Sequence, residues 1–106
     1  MSEPFAVVAD PTRRRVLDLL RTGPRTVTDL VAALGVSQPT VSKHLRVLRE
    51  AGIVTVRADA QRRWYAIDPT PLAAIDDWLA PYRWMWADRL DALGHHLDRM
   101  EDGPDE

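Results

Sequence analysis

The chain has 106 residues, no cysteine and a formal net charge of -2 at pH 7. Its length allows one small domain with a modest core, and the lack of cysteine excludes disulfides and thiolate metal sites. The N-terminus has no basic stretch followed by an apolar run, and no window approaches the roughly 18 apolar residues of a membrane span. We therefore expect a cytoplasmic protein with no membrane partner.

The charges are distributed unevenly along the chain. Residues 11–63 carry eleven Lys or Arg and four acids, a net +7, whereas residues 64–106 carry three Arg and ten acids, a net -7. A basic body joined to an acidic C-terminal region is typical of a protein with one face that meets a phosphate backbone. A solvated surface with chance clustering of charge is the alternative.

Three short helices are predicted in the first third of the chain. Phe5 and Val8 share one side of the first, which should span residues 3–9. Asp10 caps the second, and Thr26 opens the third with a capping box. These are local signals, and each sets the start of a helix.

A fourth helix should begin only about three residues after the third ends. Gly35 ends the third helix and Ser37 caps the next one. Two helices joined by such a short connection with a glycine form a helix-turn-helix. In the fourth helix Val41, Leu45 and Leu48 make the inward stripe, so the polar side chains should fall on the outer arc.

This outer arc carries hydroxyls, an amide and cations rather than the Glu and Lys of an ordinary surface helix. Such groups reach base edges and phosphates in a DNA major groove. Gln38 lies in the first turn, where the helix N–H groups also point toward the groove. A solvated helix face is the alternative. The candidate DNA contacts of this helix are Ser37, Gln38, Thr40, Ser42, Lys43 and Arg46.

Two β-branched runs, residues 53–57 and 63–67, predict a hairpin with a polar loop at residues 58–62. Arginines near its tip could follow the DNA backbone or enter a minor groove. Helices and hairpin together predict a mainly α fold with a small β-hairpin, the winged helix-turn-helix. The candidate DNA contacts of the wing are Arg57, Arg62 and Arg63.

A long helical region should follow the break at residues 68–71. Apolar residues recur at intervals of three and four from Leu72 to Met100. Pro81 should kink or divide this region near Ala80, because proline removes a backbone hydrogen bond and clashes with the preceding turn.

The helical region is more aromatic than one small domain can bury, and interfaces favour tryptophan and tyrosine. Packing of Trp78 or Trp84 on the chain's own hairpin is the alternative for some of these rings. We expect a DNA-binding core at 1–68, a helical dimerisation region at 69–100 and a disordered tail at 101–106. The expected dimer contacts are Phe5, Val8, Trp78, Tyr82, Trp86, Leu90, Leu93 and Leu97.

Two runs, in order along the chain, carry a family resemblance: ADPTRRRVLDLL and TVTDLVAALGVSQPTVSKHLRVLREAGIVTVRADAQRRWYAID. Together they resemble the DNA-binding core of the ArsR/SmtB family of bacterial repressors. The resemblance implies a homodimer that binds double-stranded DNA at an inverted repeat in a promoter, often its own. It also adds His44 to the recognition-helix contacts, with a partly buried histidine bonded within the domain as the alternative.

Many members of that family sense metals, but this sequence departs from their ligand patterns. Asp91 and His95 are four residues apart, and His96 is followed three residues later by Arg99. We predict no metal site and no cofactor, as in the cysteine-free members without a recognised metal site, and the residues identify no inducer. No catalytic arrangement accompanies the histidines, so an enzyme is not expected. A metal- or small-molecule-responsive repressor and a winged-helix protein-interaction module are the alternatives.

Overall fold

The computed structural model describes residues 4–101, except the side chains of residues 90, 92 and 95–101. The chain forms two compact units, which divide after Ile75. The helices are α1 (Pro4–Val8), α2 (Pro11–Leu20), α3 (Val27–Leu34), α4 (Gln38–Glu50), α5 (Ala73–Leu79) and α6 (Arg83–Glu101), and the strands are β1 (Val54–Asp59) and β2 (Arg62–Ile67).

Side-chain caps start α2, α3 and α4, as predicted. Asp10 Oδ1 accepts a hydrogen bond from the backbone N–H three residues later at 3.0 Å, and Ser37 Oγ does the same at 3.3 Å. Thr26 and Asp29 form the reciprocal capping box, with both hydrogen bonds at 3.2 Å. Each cap satisfies backbone donors that the first turn of a helix leaves unpaired.

The connection between α3 and α4 is the short turn of a helix-turn-helix. Gly35 adopts φ 70°, the left-handed conformation that glycine accepts without a steric penalty, and its N–H donates to Val31 O at 2.9 Å. The backbone changes direction at Gly35, so that Ser37, two residues later, can cap α4.

The core of the first unit draws on every element from α1 to β2. On α4, Val41, Leu45 and Leu48 are at most 1% exposed. Burying a side chain of this size contributes about 1.5–3 kcal/mol, so this stripe holds α4 firmly in the unit. The other buried side chains are Val7, Val16, Leu20, Leu30, Leu34, Ile53, Val54 and Tyr65.

The hairpin is tighter than predicted. The strands pair in register from Val54 with Ile67 to Asp59 with Arg62, which leaves only Ala60 and Gln61 in the turn. The predicted loop at residues 58–62 is therefore too long. Ala60 accepts φ 59°, as the first central position of a type II′ turn requires, although the sequence has no glycine there.

A further backbone pairing anchors the wing. Arg25 and Tyr65 exchange two hydrogen bonds, with N–O distances of 2.9 and 2.8 Å. Arg25, which precedes the cap of α3, thus extends the two-stranded sheet on the β2 side. This pairing could not be predicted from the sequence, because a single residue has no periodic pattern.

Pro81 divides the C-terminal helical region, as predicted. A 3₁₀ turn at Ala80–Tyr82 separates α5 from α6, and another at Thr70–Leu72 precedes α5. Glu101 ends α6, and the rest of the predicted tail, residues 102–106, lies outside the described residues. Within residues 4–101, no helix combines the length and apolarity that crossing a bilayer would require.

Candidate nucleic-acid interface

The polar arc of α4 is exposed opposite the buried stripe. Gln38, Ser42, Lys43 and Arg46 are exposed, while Val41 and Leu45 of the stripe are buried. Their side chains are long or carry hydroxyls, so the arc presents donors, acceptors and cations on one side of a firmly packed helix. This is the geometry that major-groove reading requires.

Two of the candidate residues are already engaged at the N-terminus of α4. Ser37 Oγ lies 2.8 Å from Thr40 Oγ1, and it also accepts from the Thr40 backbone N–H. Ser37 remains exposed and Thr40 is half-buried. The two residues therefore cap α4, and their hydrogen bonds hold the first turn of the helix in one conformation.

The register of the hairpin divides the three wing arginines between two faces. Arg57 lies opposite Trp64, and Arg62 lies two residues from Trp64 on that same face. Arg63 projects from the other face, which also carries Tyr65. All three arginines are exposed. The wing thus offers a positive charge on both sides of its tip rather than a single cluster.

A groove separates the wing from the start of α3. It has a volume of about 400 Å³ and is lined by Thr26, Val27, Thr28, Asp29, Gln61, Arg62, Arg63 and Tyr65. Its walls combine hydroxyls, an amide, a carboxylate and two guanidinium groups with the apolar side chain of Val27. The wing tip and the start of α3 are therefore two exposed surfaces with a groove between them.

His44 does not share the open exposure of its neighbours on α4. It is half-buried, and its Nδ1 lies 3.4 Å from the Arg13 guanidinium on α2. This contact matches the alternative prediction for His44, a partly buried histidine bonded within the domain. Arg13 was not among the predicted site residues, although its spacing of three and seven residues from Val16 and Leu20 places it beside the buried face of α2.

Asp10 completes the polar contacts around Arg13. The hydrogen bond from the Arg13 backbone N–H is the main reason why the pKa of the Asp10 carboxyl lies below its ordinary value, and the nearby Arg13 charge acts in the same direction. Burial opposes this effect. The ionised carboxylate is therefore the form that suits the start of α2.

The second unit exposes much of its aromatic surface. Trp78 is 56% and Trp86 is 40% exposed, and a groove of about 350 Å³ lies among Trp78, Leu79, Tyr82, Met85, Trp86 and Arg89. The Trp78 and Tyr82 rings have centroids 5.2 Å apart. Leu93 is also exposed, whereas the side chain of Leu90 and that of Leu97 lie outside the described residues.

In the first unit, α1 presents the remaining residues of the predicted dimer surface. Phe5 is exposed and Val8 is half-buried. Val8 also lines a mostly apolar groove of about 570 Å³ together with Leu17, Ile67 and Leu72. Apolar surface is thus available on α1 itself.

No group of three His, Asp or Glu side chains is close enough to hold a metal ion in the described part of the chain. The side chains of His95 and His96 lie outside that part.

The sequence profile of "Bacterial regulatory protein, arsR family" matches residues 10–56, the segment from the α2 cap into β1. The chain is 33% identical over 79 residues to transcriptional repressor SdpR of Bacillus subtilis, which covers 74% of this chain and 88% of that protein. It is 47% identical over 71 residues to HTH-type transcriptional regulator Rv2034 of Mycobacterium tuberculosis, with 67% of this chain and 66% of that protein covered.

Solved structures agree with this likeness. A crystal structure of a possible transcriptional regulator for arsenical resistance superposes with a TM-score of 0.68 at 42% identity, over 91% of this chain and 97% of that one. An ArsR family transcriptional regulator, RHA00566, superposes with a TM-score of 0.66 at 35% identity, over 78% of this chain and 86% of that one.

Proposed function

The chain belongs to the arsR family of bacterial regulatory proteins, and we propose that it is a homodimeric repressor that binds an inverted repeat in a promoter, including its own. The family consists of transcriptional regulators rather than enzymes. The proposed partners are double-stranded DNA and a second copy of the chain, in the cytoplasm. The proposal includes no cofactor.

The division of α4 into a buried stripe and an exposed polar arc is the observation that carries the proposal. Leu45 is 1% exposed, while Lys43 and Arg46 on either side of it are exposed. The arc is thus held by packing that DNA binding would not disturb. Lys43 and Arg46 can neutralise phosphates or donate to guanine, and Gln38 can pair with adenine.

The wing supports the same assignment. Arg57 and Arg62 on one face and Arg63 on the other could straddle a DNA backbone or a narrow minor groove. Such contacts neutralise phosphate charge and do not distinguish one base from another, so the wing would contribute affinity more than sequence preference.

A homodimer gives the recognition helix its specificity. Two copies of α4 on a twofold axis would meet successive major grooves about 34 Å apart, which doubles the number of base pairs read. The exposed aromatic face that includes Trp86 and Leu93 is the proposed contact between copies, with Phe5 and Val8 of α1. Tryptophan and tyrosine supply large contact area at little entropic cost.

The proposal is tested by fluorescence anisotropy with a duplex from the chain's own upstream region and a shuffled duplex. Affinity is measured at a series of salt concentrations for the wild type, Lys43→Ala, Arg46→Ala and the control Arg21→Ala. Arg21 is exposed but lies outside α4 and the wing, so its removal matches the change in charge. Removing one side chain that neutralises a phosphate should lower the slope of log affinity against log salt by about one.

We expect the wild type to prefer the upstream duplex and to bind more weakly as salt rises. Lys43→Ala and Arg46→Ala should each weaken binding about tenfold or more, whereas Arg21→Ala should stay close to the wild type. Equal losses of affinity at all three positions would show a general charge effect and remove α4 as the reading helix. No binding to either duplex would favour the protein-interaction module.

A further inference from the structure

Arg13 makes side-chain contacts with two other helices at once. Its Nε donates to the Val7 carbonyl oxygen of α1 at 2.6 Å, and its Nη1 lies 3.4 Å from His44 Nδ1 of α4. Val7 is buried, and both Arg13 and His44 are half-buried. A single guanidinium on α2 therefore bridges the end of α1 and the middle of α4.

The direction of this contact follows from the guanidinium. A guanidinium has five donors and no acceptor, so Arg13 is the donor and His44 Nδ1 the acceptor wherever the two form a hydrogen bond. Nδ1 is therefore the atom of His44 on which the link to Arg13 depends.

The bridge joins two surfaces with different proposed roles. Arg14 adds to the α1 end, since its Nη1 donates to the Val8 and Ala9 carbonyl oxygens, each at 3.0 Å. Together the two arginines satisfy carbonyl groups that the last turn of α1 leaves unpaired. The α1 helix carries Phe5 and Val8 of the proposed dimer surface, and α4 carries the proposed DNA contacts.

We propose that Arg13 is a positioning residue, which fixes the recognition helix to α1 through its contact with His44. The inference rests on the proposed function, because its consequence is a change in DNA affinity. Arg13 itself does not touch DNA in this scheme. It sets the rotation of α4 relative to the helix that carries part of the dimer surface.

A double-mutant cycle on DNA affinity separates this role from a general effect on folding. The proteins are the wild type, Arg13→Met, His44→Ala and the double variant, measured by anisotropy. Circular dichroism verifies folding. Each single substitution should weaken binding about fivefold, and the double variant should bind about as well as either single variant.

His44→Asn provides the rescue. The amide oxygen can take the acceptor position of Nδ1, so His44→Asn should keep most of the affinity that His44→Ala loses. The salt dependence of Arg13→Met gives a second readout. Its slope should equal that of the wild type, since a positioning residue neutralises no phosphate.

Additive losses of affinity, or a salt slope reduced by about one in Arg13→Met, would overturn the positioning role. A His44→Asn variant that binds no better than His44→Ala would overturn it as well. Failure of the wild type to bind any duplex would instead overturn the proposed function, and the same cycle measured by urea unfolding would then decide whether the Arg13–His44 link exists.

Discussion

The two longest helices, α4 and α6, differ in how far they bury their apolar side chains. On α4 the apolar stripe is at most 1% exposed at Val41, Leu45 and Leu48. On α6 the exposed fraction is 65% for Trp84 and 40% for Trp86. A helix packed within its own unit leaves only its polar arc for a partner, whereas a helix that exposes large aromatic rings presents a surface suited to another protein.

The parts of the chain that contain α4 and α6 also differ in net charge. The segment from residue 11 to 63 is net positive by seven, and the segment from 64 onward is net negative by seven. The basic region can therefore attract a phosphate backbone while the acidic region is repelled by it. The charges therefore support the proposed DNA contact in the first region and disfavour one in the second.

The largest expected effect separates the two faces of α4. Leu45→Ala should lower the free energy of unfolding by about 2–5 kcal/mol, because it leaves a cavity in the core. Arg46→Ala, one residue further, should change it by no more than about 0.5 kcal/mol, since its side chain is exposed. Urea unfolding monitored by circular dichroism measures both. Comparable destabilisation by Arg46→Ala would mean that this arginine supports the fold rather than a DNA contact.

The next effect concerns the aromatic face of α6. Trp86 lies in the predicted dimer stripe and Trp84 lies about 200° away around the helix. Trp86→Ala should weaken dimerisation by about 2 kcal/mol, close to thirtyfold in the dissociation constant. Trp84→Ala removes a more exposed ring of the same type and should leave the dimer intact. Sedimentation equilibrium distinguishes them, and equal weakening would mean that the stripe does not define the interface.

The smallest effect is at the tip of the wing. Ala60→Gly should raise the free energy of unfolding by up to about 1 kcal/mol, because glycine relieves the left-handed strain at φ 59°. The matched control is Ala58→Gly in β1, where φ is not positive and the substitution should cost about 0.5–1 kcal/mol. Thermal unfolding gives both values. Destabilisation by Ala60→Gly would show that the turn depends on the alanine methyl group.

Helix starts were predictable because a cap involves residues three positions apart. Asp10, Thr26 and Ser37 each act on the first turn that follows them, so no knowledge of the rest of the fold is required. The division of the C-terminal helices at Pro81 was predictable for the same reason.

The hairpin has two features that local sequence patterns did not predict, the length of its turn and the faces of its arginines. Ala60 is not a residue that marks a positive φ, so the turn was assigned too many residues. The faces of Arg57, Arg62 and Arg63 depend on strand register, and a shift of one residue would exchange them. The composition of the wing was evident from the sequence, but its geometry was not.

The order of the helices and strands, the apolar stripe of α4 and the residue types on its outer arc could all be derived from the sequence, because they follow from caps and from spacing along one element. The contact of Arg13, among three consecutive arginines, with His44 and the pairing of Arg25 with Tyr65 could not be derived in this way. Such contacts join residues tens of positions apart, and their existence depends on how the core brings separate elements together.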